Sequence, residues 1–115
     1  MTDHFPSIDT AATFDADKAT KTDLFQGQQL FVGLNCFKPG QSQKVHVHAG
    51  SDKFYLVVSG KARITVGDET REVMSGTVVW APADVPHGVV EALEQTVLLV
   101  AIAPPPSALK RPPGP

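Results

Sequence analysis

The chain is poor in the groups that would commit it early to a covalent scaffold, a membrane or a nucleic acid. One cysteine, Cys36, stands among 115 residues, so no intrachain disulfide can form and nothing requires an oxidising compartment. Its position in a strand-like run makes it a packed residue first and only weakly a ligand or nucleophile. Ten basic and twelve acidic side chains are scattered along the sequence, giving a net charge of -2. There is no cationic stripe to collect phosphates, and nucleic acid is an unexpected partner. No apolar run approaches membrane-spanning length, and Met1–Pro6 has neither the basic nor the apolar region of a secretory leader. A soluble, cytoplasmic protein is the expectation. Helical periodicity is also missing over any useful length.

What is present is a series of short β-rich runs separated by turn residues. Residues 1 to about 23 are polar, with little periodicity, and read as an irregular arm with one short strand near Thr13 and Phe14. The first secure strand is Leu30 to Phe37, ended by Lys38-Pro39-Gly40. Lys44 to His48, Lys53 to Ser59, Ala62 to Val66, Glu72 to Met74, Thr77 to Trp80, Gly88 to Ala92 and the apolar Thr96 to Ala103 continue the series, with Gly67-Asp68-Glu69-Thr70 as a hairpin loop. Regularly spaced short strands predict an all-β sandwich or barrel over residues 24–103. The tail 104–115 holds six of the ten prolines and favours extended conformations, as a free end or an arm on the barrel.

A 42% hydrophobic fraction supplies one core at this length. Chemistry concentrates in three histidines. His46 and His48 are one residue apart in an alternating stretch, so both imidazoles leave the strand on one face. His87 follows Pro86 between two later strand-like runs, and a barrel can bring it opposite that pair. Three neutral imidazoles converging on a cavity make an open divalent-metal site with room for water or substrate. A closed structural zinc site normally takes four protein ligands, cysteine among them, so a functional ion is the better reading. Iron, manganese, nickel, zinc and copper all suit imidazole nitrogen. His4 stands alone in a polar stretch and reads as solvated.

These residues sit in two recognisable patterns. Gly40, His46, His48 and Gly60 match G-x5-H-x-H-x(3,4)-E-x6-G, with Lys53 at the glutamate position. Gly76, Pro82 and His87 match G-x5-P-x-G-x2-H-x3-N, with Asp84 for the middle glycine and Glu91 for the asparagine. The segment from Gly40 to Glu91 therefore resembles the cupin superfamily, and the whole looks like its small single-domain conserved barrels. The resemblance implies a double-stranded β-helix, or jelly roll, with His46, His48 and His87 as metal ligands. It also implies a small organic substrate or ligand, dioxygenase-like or isomerase chemistry, and pairing of barrels into a homodimer. A non-catalytic binding or sensing module is the alternative.

Lys53 cannot replace a glutamate, because an ammonium offers donors and a positive charge where a carboxylate offers lone pairs. Near a dication it should be driven to deprotonate, to move away, or to turn toward Asp52 or Glu91. A one-residue register shift that brings Asp52 inward is the other arrangement, and the offset to Gly60 favours Lys53. On the same parity as Lys53 lie Tyr55 and Val57; Tyr55 is the candidate catalytic hydroxyl, against an equal case for a packed aromatic. Gln41 and Gln43 read as exposed turn residues ahead of weak oxygen ligands, Trp80 as core, and Arg63 as a solvated surface residue.

Overall fold

The computed structural model describes residues 3–106. Nine strands form two antiparallel sheets: β1 (Thr20–Gln26), β2 (Phe31–Phe37), β3 (Gln43–His46), β4 (Asp52–Ser59), β5 (Lys61–Val66), β6 (Glu69–Met74), β7 (Val78–Ala81), β8 (His87–Ala92) and β9 (Thr96–Ala103). The five-stranded sheet runs β1-β2-β9-β4-β7, and the four-stranded sheet runs β3-β8-β5-β6. Between them lies the main core of Phe31, Phe37, Tyr55, Val57, Ile64, Val89, Leu98, Val100 and Ile102. The expected all-β barrel of double-stranded β-helix type is what forms.

Alternation explains most of it. Along β4, Lys53, Tyr55 and Val57 are buried while Asp52 and Phe54 are exposed, so one parity faces the interior. β2 is buried along its whole length because both of its faces are covered. Its inner face meets the core, and its outer face, Leu34 and Cys36 with Val97 of β9, packs under Ile8, Ala11, Ala12 and Phe14. That outer cluster fastens the N-terminal arm to the barrel. Ile8–Ala11 is a single helical turn, capped by Ser7, whose Oγ accepts from the Thr10 amide. No strand forms near Thr13 and Phe14; the first strand starts at Thr20 instead, inside the segment expected to be irregular. Its run Thr-Lys-Thr-Asp carries no apolar alternation, because β1 is an edge strand and pairs only with β2.

Close approach dictates several glycines, Gly60, Gly88 and Gly33 among them. A Cβ on Gly88 would stand 2.9 Å from both the Gln43 carbonyl oxygen and the Val45 Cα, so β3 can lie against β8 only because that residue is bare. A Cβ on Gly33 would lie 2.8 Å from the Thr22 carbonyl oxygen and 2.9 Å from the Phe31 ring. Pro105 and Pro106 are buried against the barrel, while the rest of the Pro-rich tail, 107–115, lies outside the described residues. Among the described residues, no helix is long and apolar enough to cross a membrane.

Candidate metal centre

Strand pairing assembles the histidines. In the β3–β8 ladder His46 is the direct partner of His87, which is how residues 41 positions apart come to face one another. β3 ends at His46, so His48 is not in the strand that the alternation suggested; it lies in the following loop. Asp84 ties that loop down: its backbone N–H donates to the His48 carbonyl at 3.2 Å, and its carboxylate accepts from Gly50 N–H at 3.3 Å. Asp84 has φ 68°, the left-handed conformation that the glycine of the second pattern would supply. Aspartate is among the few residues that tolerate it.

The three rings gather closely. Centroid separations are 4.7 Å for His46–His48, 4.5 Å for His46–His87 and 5.4 Å for His48–His87. One nitrogen from each lies within 4.8 Å of the others, near enough for side-chain rotation to bring all three onto one ion. Tautomers follow from the outer contacts. Nδ1 of His46 lies 2.8 Å from the Lys44 carbonyl and Nδ1 of His87 lies 2.9 Å from the Val85 carbonyl. A carbonyl only accepts, so each Nδ1 carries the proton and each Nε2 keeps its lone pair. Nε2 of His87 is buried and has no hydrogen-bond partner among the described residues. A bound cation would satisfy that lone pair, so the donor set fits a divalent ion.

Electrostatics point the same way. Burial, followed by the charge of Lys53, holds His48 at about 4, and burial likewise holds His87 at about 4 despite its bond to Val85. His46 is lowered too, chiefly by burial. All three are therefore neutral, ligand-ready imidazoles near pH 7.

Lys53 stands where the first pattern has glutamate, and it points inward. It is only 3% exposed, its Nζ is 3.4 Å from Nε2 of His46, and it lies 4.5 Å from the centre of the Tyr55 ring. Burial, then the charge of Lys21, brings the amine down to about 7. The register shift that would turn Asp52 inward does not occur; Asp52 is exposed and its carboxylate accepts from the Ala83 N–H. Nor does Glu91 reach Lys53, since it pairs with Arg63 at 3.4 Å on the half-exposed outer face.

Tyr55 is fully buried on the inner face, its ring 6.2 Å from that of His87. Its hydroxyl donates to Gln43 Oε1 at 2.8 Å, and burial pushes the phenol up. Both glutamines correct the exposed-turn reading. Gln43 is a half-buried strand residue, and Gln41 accepts from the Lys38 N–H while donating to the Asp15 carbonyl, bracing the N-terminal segment. Trp80 corrects the core assignment: Ala81 of β7 takes the inner face, so Trp80 turns outward beside Phe54 and is 58% exposed. Cys36 is buried as expected, and burial raises its thiol away from reactivity. Lys21 and Asn35, which join His46 and His48 around one cavity, were not singled out in the sequence, Lys21 lying in the expected arm and Asn35 in the first strand.

Comparison with known proteins agrees with this geometry. The sequence profile described as the cupin domain matches residues 33–103. An uncharacterized protein of Streptomyces coelicolor is 41% identical over 92 residues, covering 80% of this chain and 87% of its own. The crystal structure of TT1209 from Thermus thermophilus superposes with a TM-score of 0.82 at 38% identity, covering 87% of this chain and 96% of that one. An uncharacterized conserved protein with a double-stranded β-helix domain from Klebsiella pneumoniae reaches the same TM-score of 0.82 at 20% identity, over 89% and 90% of the two chains, a likeness of fold alone. With two sheets closed around a histidine cluster, and with a family profile spanning most of the barrel, the chain belongs to the cupin family.

Proposed function

We propose that this cupin binds one divalent metal ion through His46, His48 and His87 and acts there on a small organic molecule. The observation that carries the reading is the buried Nε2 of His87, partnerless among the described residues and grouped with the nitrogens of His46 and His48. A bound ion would supply Lewis acidity at positions left open by a three-ligand set; iron, manganese, nickel, zinc and copper all suit the donors. Tyr55 is the candidate catalytic residue in this reading, a phenol kept protonated by burial, whose one O–H would have to turn from Gln43 Oε1 to donate to a bound molecule. Dioxygenase-like chemistry is the most direct use of such a centre when iron fills it. The test is metal analysis of the purified protein together with oxygen uptake by the Fe(II)-reconstituted form over diketones, thiols and phenolics. Uptake with one class, abolished in His87→Ala, supports it; metal binding without uptake or turnover contradicts it.

Lys53 favours a second reading, a non-catalytic binding or sensing module. A buried ammonium beside the imidazoles removes the anionic ligand of the first pattern and puts donors where a carboxylate would accept. Saturable ligand binding with no product formed would select this reading over the first.

The chain is also proposed to pair with a second copy. Phe54, Val78 and Trp80 share the outer face at the β7 edge and are exposed, an apolar stripe that a like stripe would cover. Sedimentation at micromolar concentration should give a dimer; a monomer contradicts the pairing.

A further inference from the structure

A cavity of about 250 Å³ opens beside His46 and His48, walled by Lys21, Lys53, Asn35, Gln43, Phe31 and Ile102 among others. Register places its parts. Lys53 lies beside Ile102, which lies beside Phe31, and Lys21 lies beside Asn35 on the next inward row but one. Gly33, bare of a side chain, stands between Phe31 and Asn35 and lets the Phe31 ring lie over it as part of the wall. Two lysine side chains thus face one small space.

Neither lysine forms an ion pair among the described residues. The two ion pairs among the described residues are Arg63–Glu91 and Arg71–Glu69, both remote from this wall. Asp23, an exposed residue of β1, also borders the cavity, and it forms no ion pair with either lysine. Charge on a buried lysine amine without a carboxylate partner is costly, and a ligand that brings the missing negative charge would favour its ammonium form. The remaining wall, Phe31, Val100, Ile102 and Pro106, is apolar.

The geometry points to a small organic carboxylate with a compact apolar body as the molecule this cavity takes, its carboxylate between Lys53 and Lys21 and its body against Phe31 and Ile102. This names the ligand class of the centre proposed above and rests on that reading of it as a small-molecule site. Calorimetric titration of the full chain, zinc-loaded and EDTA-treated, with hexanoate, hexanamide and inorganic phosphate tests it. Hexanoate should bind about tenfold tighter than either competitor in both forms. Lys21→Met should weaken hexanoate by about fivefold and leave hexanamide unchanged. Lys53→Met should do the same more strongly, and Lys21→Met, at an exposed position, decides the matter alone if the buried substitution unfolds the chain. Equal binding of hexanoate and hexanamide, tighter binding of phosphate, or no hexanoate binding at millimolar concentration overturns the proposal. Zinc titration of the same preparation separates the two ideas: zinc bound with no carboxylate preference sinks only this inference, and carboxylate preference with no zinc binding sinks only the metal centre.

Discussion

The two sheets bring opposite chemistry to the same interior. The four-stranded sheet and the loop that follows β3 supply lone pairs, the imidazoles of His46, His48 and His87, with His46 and His87 each held by a carbonyl on its own side of the barrel. The five-stranded sheet faces them with cations, Lys53 from β4 and Lys21 from β1, set among apolar side chains. The contrast separates a centre that attracts a cation from a wall that attracts an anion, about one side chain apart. A metal ion and an anionic ligand held side by side would satisfy both.

Breaking the donor side should have the largest effect. His87→Ala removes the ligand whose Nε2 is buried, and zinc affinity should fall by more than roughly 100-fold in calorimetric titration, since even outer partners of ligands are worth 10–100-fold. Changing the sign of the facing wall comes next. Lys53→Glu replaces an ammonium 3.4 Å from His46 Nε2 with a carboxylate, and zinc affinity should rise by about tenfold or more. Unchanged affinity would mean that Lys53 does not face the ion.

Gly88→Ala tests the support of the donor side without touching a ligand. Its Cβ would press on β3 at 2.9 Å, so the chain should lose about 1–3 kcal/mol in denaturant unfolding, and zinc affinity should drop because His46 moves away from His87. The smallest effect is electrostatic. His48 and His87 titrate at about 4 in the folded chain and at 6.5 when unfolded, so between those values the unfolded chain holds more protons. The Tm of metal-free protein should therefore fall as pH drops from 6.5 toward 4, and a His48→Gln, His87→Gln double variant should flatten that stretch. Lys53, lowered from 10.5 to about 7, has the same sign in a higher window and adds stability as pH rises from 7 to 10.5.

Much of the donor side was legible in the sequence, and little of the cationic wall was. The histidines stand in two spaced patterns, and strand parity alone turned Lys53 and Tyr55 inward with Val57. His48 reached the site by another route than parity, through a loop pinned by Asp84, because β3 stops two residues early. Lys21 was hidden because an edge strand needs no apolar alternation, so Thr20 to Asp23 looks like a polar arm. Trp80 and Gln43 were misread for a related reason. Bulk argued for burial of Trp80 and polarity for exposure of Gln43, whereas Ala81 fixes the facing of β7 and the Tyr55 hydroxyl supplies the partner that half-buries Gln43. Gly88 gave no signal, since its need for bareness arises from a strand that only the fold brings near.

Anomalous diffraction from a crystal of the full chain grown with zinc addresses the central claim most directly. One peak bonded to nitrogens of His46, His48 and His87 together is the predicted result. Density for zinc only at surface carboxylates, with Lys53 still hydrogen-bonded to His46 and nothing among the three rings, would contradict it.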